Sequence, residues 1–155
     1  MKLTRTTLLA LAGTIALATV QAPTAQAANI NTMATECRNN NGPDPQPLAA
    51  VGVNNTTNAP MAVLCSIPRS PLTPPSAGLF FIDGKNPRSG TTTTCAVAIV
   101  DFTGNFITSV GQSSSALTYD LLIEVNAAQL PMFAYTDVVC ILPPGGTLIG
   151  MTSVQ

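Results

Sequence analysis

Residues 116–125 read ALTYDLLIEV. Leu117, Tyr119, Leu121, Ile123 and Val125 alternate with Thr118, Asp120, Leu122 and Glu124. An apolar period of two puts one set of side chains on one face and the other set on the opposite face, which is the pattern of a half-buried strand. A helix would scatter the same residues around its circumference.

The neighbouring sequence repeats the strand signal. In TTTCAVAIVDFTGNFITSVG (92–111), Cys95, Val97 and Ile99 share one face and Ala96, Ala98 and Val100 the other. Apolar residues on both faces predict a central strand. Thr103-Gly104-Asn105 supplies a turn, and Phe106, Thr108 and Val110 continue the return strand of a hairpin. AGLFFIDGKN (77–86) predicts another strand, stopped at Asp83-Gly84, a strong turn pair. LAAVGVNN (48–55) and PMAVLCSIP (60–68) predict an earlier strand pair joined across NNTTNA. The last segment, AYTDVVCILPPGGTLIGMTSV (134–154), predicts two strands connected through Pro143–Gly146.

Thirteen prolines and eleven glycines punctuate the chain. About eight short strands between such turns predict an all-β fold, a two-sheet antiparallel β-sandwich or jelly roll. In NAAQLPMF (126–133) a single helical turn is possible before Pro131. The Pro-rich IPRSPLTPPSAG (67–78) predicts a surface loop.

The first residues predict export. Lys2 and Arg5 precede an apolar stretch from Leu8 to Val20, too short to span a bilayer, and Ala25-Gln26-Ala27 follows as a cleavage site. Cleavage between Ala27 and Ala28 divides the chain into a leader (1–27), a polar and irregular segment (28–46) tied down by Cys37, and the sandwich (47–155). The predicted location is secreted or periplasmic. The mature part has no apolar run long enough for a transmembrane helix.

Only 8% of the residues are charged. Cleavage leaves four basic residues against seven acidic ones, a net charge of −3. No basic cluster remains, so the footprint of nucleic-acid binding is absent. Histidine is absent too, which removes Ser-His and Cys-His catalysis and histidine-ligated metals.

Four cysteines in an exported chain predict two disulfides. Their separations of 28, 30 and 45 residues do not fit the paired spacing of a zinc site. Cys37–Cys65 and Cys95–Cys140 are the favoured bridges. An antiparallel first strand pair would bring Cys37 toward Cys65, and Cys95 and Cys140 lie in the strands expected to be central. VLCSIP (63–68) and VVCILP (138–143) are near copies, so a Cys65–Cys140 bridge between matching strand ends stays open.

Carboxylates are the remaining candidates for chemistry. Asp120 and Glu124 share a strand face, but about 13 Å separates them, too far for a glycosidase pair. Asp83 and Asp101 each precede a predicted turn and could meet at one end of the sandwich, holding Ca²⁺ with Asn86 or Asn105. Against that, aspartate beside a turn is ordinary turn chemistry. No other metal or cofactor is expected. Tryptophan is absent, and Tyr119 is expected in the core, so stacking on a glycan has thin support. The expected role is a non-enzymatic interaction or structural module. Its partner is an unidentified protein or glycan, met through the loop Arg69–Ala77 or the turn Asp83–Gly90 with Lys85 and Arg88.

VGVNN (51–55), VLCSIPR (63–69), CAVAIVDFTGN (95–105) and CILPPGGTLIG (140–150) resemble segments of uncharacterised exported bacterial proteins that are small β-sandwiches with four cysteines. The pattern often has proline directly after the second cysteine, where this chain has Ser66. The shared motifs are structural, so the resemblance implies a fold and no activity.

Overall fold

The computed structural model describes residues 29–40, 42–48, 52–68 and 77–154. The leader and its cleavage site lie outside these residues, as does most of the Arg69–Ala77 loop.

The fold is two antiparallel sheets packed face to face. The strands are Asn29–Met33 (β1), Arg38–Asn39 (β2), Gln46–Leu48 (β3), Gly52–Asn54 (β4), Met61–Ile67 (β5), Gly78–Lys85 (β6), Thr93–Val100 (β7), Phe106–Ser114 (β8), Thr118–Val125 (β9), Tyr135–Leu142 (β10) and Thr147–Val154 (β11). One sheet has the order β3-β4-β11-β6-β9, with β1 also paired to β11. The other runs β2-β5-β10-β7-β8.

The alternation in β9 comes out as the sequence implies. Tyr119, Leu121, Ile123 and Val125 are buried while Thr118, Asp120, Leu122 and Glu124 are exposed. Leu117 falls just before the strand and is exposed. Phe80 and Ile82 of β6, Val97 and Ile99 of β7, and Val138 and Leu142 of β10 point between the sheets and are fully buried. Each such side chain contributes about 2 kcal/mol of burial free energy.

Three expectations need correcting. The 28–46 segment is not irregular throughout: β1 joins the first of these sheets along β11, and β2 joins β5. The segments 48–55 and 60–68 do not pair with each other. β4 pairs with β3 and β11, whereas β5 lies in the opposite sheet between β2 and β10. Its alternating face belongs to a different layer, which a local hairpin reading misses.

The third correction concerns Asp83-Gly84, which does not turn. Both residues continue β6, opposite Asp120 and Tyr119 of β9. Glycine is required there for space, because a Cβ at Gly84 would collide with the Tyr119 ring and with the Thr147 carbonyl. Tyr119 Oη crosses over Gly84 to donate to the Thr147 carbonyl at 2.9 Å. The glycine marks a close approach rather than a bend.

Both favoured disulfides form. Cys95 and Cys140 are direct register partners across β7 and β10. Cys37 immediately precedes β2, whose Arg38 pairs with Leu64, so it lies opposite Cys65. That register, and not a hairpin of the first long strands, brings the two together. The echo of VLCSIP and VVCILP is now explained: β5 and β10 are adjacent and antiparallel. Cys65 sits beside Val138 and Cys140 beside Val63, so the two cysteines are offset and each bridges outward to its other neighbour.

Candidate functional site

The link between β8 and β9 is short, so the end of β8 and the start of β9 lie at one end of the sandwich, here called the link end. Register puts Lys85 and Thr93 at that end too. The β7–β8 turn, the start of β10, the start of β1 and the end of β11 lie at the opposite end, the turn end.

Asp83 and Asp101 are therefore not brought together. Asp83 lies near the link end on the outer face of β6, and Asp101 lies in the turn at the other end. The Asp101 carboxylate is occupied by its own turn. It accepts from the Thr103 amide and hydroxyl, from the Asn105 amide, and from Asn105 Nδ2. The Thr103 hydroxyl, foremost, and the Asn105 amide hold its carboxyl down at about 2. Gly104, with φ 87°, closes the turn. Asn86 is equally committed: Nδ2 donates to the Ser114 and Ala116 carbonyls, and Oδ1 accepts from the Thr93 hydroxyl. Among the described residues no group of three or more acidic or cysteine side chains is placed to hold a metal ion.

The structure does create a carboxylate pair that the sequence hides. Asp83 stands directly opposite Asp120. Partial burial, and then the Asp120 charge, raise the Asp83 carboxyl above its ordinary range. The signal was available in principle, because two outward positions of apolar strands become neighbours once register is known. Glu124 lies opposite Leu79, away from this pair. The pair sits on an outer sheet face. A cleft of about 140 Å³ lies elsewhere, over the Cys37–Cys65 bridge between Glu36, Arg38 and Met33. Arg38 is itself paired with Asp44 at 2.9 Å, and Asp137 accepts from Ser66 Oγ at 2.8 Å.

A different surface stands out. Every exposed aromatic side chain among the described residues lies at the turn end: Phe102, Phe106, Phe133 and Tyr135. Tyr135 and Phe106 flank Val100 in register across β10, β7 and β8. Two strand spacings, about 10 Å, separate them. Phe102 extends beyond that row in the β7–β8 turn. Phe133 extends beyond it in the β9–β10 connection, where a turn replaces the single helical turn considered from sequence. Leu130 and Ala134 anchor this connection in the core. Asn126 and Gln129 brace it by exchanging hydrogen bonds with each other's amides. Between the two anchors Met132 and Phe133 project outward, and Phe133 has φ 62°. A left-handed conformation is costly for a bulky residue, and such strain gathers at functional sites.

The structure places the basic candidates Lys85 and Arg88 at the opposite end from this surface. Lys85 ends β6, and Arg88 follows in the connection to β7. The aromatics escaped notice because Phe106 reads as an ordinary strand residue and Phe102 and Phe133 as ordinary loop residues.

No protein-family model matches the sequence, and no curated protein matches it. Among the described residues no helix is long and apolar enough to cross a membrane. The two disulfides fit an oxidising, extracytoplasmic setting.

Proposed function

We propose that the protein is an exported, non-enzymatic module that works by contact, with the turn end as its contact surface. The observation that carries this reading is the gathering of four exposed aromatic side chains at one end of a scaffold stapled by two disulfides. Exposed aromatics in a contiguous patch mark interaction sites. A rigid scaffold lowers the cost of holding them in place. On this reading the leader is removed after Ala27, and the mature chain is secreted or periplasmic.

A second reading has one observation in its favour. The Asp83–Asp120 pair, with its raised carboxyl, resembles the paired acids of hydrolytic sites. It lies on the outer face of its sheet, at neighbouring positions of β6 and β9, so contact is the better reading. A glycan partner would use the Tyr135–Phe106 row as a stacking platform.

The experiment compares Phe102→Ser with Asp83→Asn in cells whose deletion has a measurable phenotype, using exported protein whose intact mass begins at Ala28. Loss of function in Phe102→Ser alone is the expected result. Loss in Asp83→Asn, with export intact and stability not reduced, would replace the contact reading with the catalytic one.

A further inference from the structure

We propose that the turn end docks on a lipid surface, inserting its aromatic tip into the interfacial region of an uncharged or weakly charged bilayer. The proposal rests on the contact-module reading and names the partner of the same surface.

Three observations favour lipid. The first is the chemistry of the tip. Phe102, Phe106, Met132, Phe133 and Tyr135 are all exposed there. The charged side chain in the two tip loops is Asp101, and its oxygens are consumed by its own turn. Aromatic rings with an apolar body suit the membrane interface. Among their described residues these two loops carry no basic side chain, which suits neutral headgroups better than anionic ones.

The second observation is where the chain enters. β1 begins at Asn29, opposite Val154, at this same end. Eight residues, 21–28, separate Asn29 from the apolar stretch Leu8–Val20. Fully extended they reach about 28 Å. While the leader is attached and inserted, the turn end is thus held within about that distance of the bilayer. Cleavage then frees the sandwich with its aromatic end beside the membrane.

The third observation is the local cost. Phe133 keeps a left-handed backbone with its ring 44% exposed, although buried residues bracket it on both sides. Folding alone would favour glycine at that position. A ring that gains an apolar phase only on docking accounts for its retention.

The test uses the exported, disulfide-bonded chain and neutral phosphatidylcholine vesicles, read by co-sedimentation. Wild type is expected to partition equally at about 0.1 M and about 1 M salt, because the attraction is apolar. Phe102→Ser and Phe133→Gly are each expected to lower the partition coefficient about tenfold or more. Phe133→Gly should also melt a few degrees higher than wild type, so its loss of binding would not be a loss of folding. Lys85→Ala and Arg88→Ala, at the far end, should change nothing.

Absence of partition by wild type overturns the proposal. So does partition that survives Phe102→Ser and Phe133→Gly, or partition abolished by Lys85→Ala. Retention on immobilised glycans, lost in Phe102→Ser, with no vesicle binding, would assign the tip to sugar. Tip-dependent dimers without vesicle binding would assign it to a second copy. If vesicles fail while a cellular phenotype still follows Phe102→Ser, the contact reading survives with another partner. If the phenotype follows Asp83→Asn alone, that reading falls as well.

Discussion

Gly84 carries more of the fold than its size suggests. The Tyr119 ring lies against it, and Tyr119 Oη reaches the Thr147 carbonyl across β6. Burial pushes the Tyr119 hydroxyl up to about 12, so it stays a donor throughout the physiological range. Gly84→Ala has no free space and must displace either the ring or backbone. We expect a loss of about 3 kcal/mol, read by urea unfolding. An unchanged midpoint would show that the ring moves aside without cost. The sequence reading takes Asp83-Gly84 for a turn because turn statistics are local, whereas the demand for glycine comes from a ring on another strand. Asn86 misleads for a related reason. As a buried side chain holding the Ser114 and Ala116 carbonyls, it looks in sequence like any loop asparagine. Asn55 is a third case, fully buried, with Nδ2 donating to the Ala59 and Leu142 carbonyls and Oδ1 accepting from Thr57.

Asp83 and Asp101 bend the pH dependence of stability in opposite directions. Asp83 is raised in the folded state, so the fold binds its proton more tightly than the unfolded chain does. Its contribution is most favourable below the ordinary value of 3.8 and is lost as pH rises through the raised value. Asp101 is lowered to about 2, so its contribution is present above 3.8 and is lost as pH falls toward 2. Asp83→Asn removes the repulsion with Asp120 and should raise the neutral-pH melting temperature, with the gain vanishing in acid. Thermal melts from about pH 3 to about pH 8 check this. A variant less stable than wild type at neutral pH would mean that Lys85, two residues along the same face, outweighs Asp120.

At the scale of elements, the two stapled strand pairs organise one sheet. β5 and β10 form its middle, and each is bridged outward, to Cys37 beside β2 and to Cys95 in β7. Opening the Cys95–Cys140 bridge by a double alanine substitution releases a loop of 45 residues in the unfolded chain. The chain-entropy relation puts the cost at about 4 kcal/mol, read by denaturant unfolding under oxidising conditions. A cost near zero would place the sheet's cohesion in its apolar face alone. Strand positions from β5 onward were legible because alternation and flanking Pro and Gly coincide there. β1 was not legible, since NINTM alternates on a face that only β11 completes. The split of 48–55 and 60–68 between sheets was hidden because alternation fixes a face but not a layer.

For the whole molecule, the two-sheet class was readable from composition and spacing, and the contact surface was not. The turn end exists only because antiparallel order returns the β7–β8 turn, the β9–β10 connection and both described termini to one pole. Nothing in the spacing of Phe102 and Phe133 hints at it.

The placement of β1 also bears on how the molecule carries tension. Asn29 and Val154 face each other at one end, so a pull applied to the two termini peels β1 from β11 one rung at a time. Hydrogen bonds loaded singly yield at low force, unlike strands sheared along their length. The peel from the N-terminal side halts at Cys37, whose bond to Cys65 passes the load into the covalently stapled sheet. The eight residues from Asn29 to Glu36 then pay out slack of at most about 28 Å. A molecule anchored by its ends would lengthen by no more than that amount under strain and then hold firm on that side, like a seat belt with a short spool.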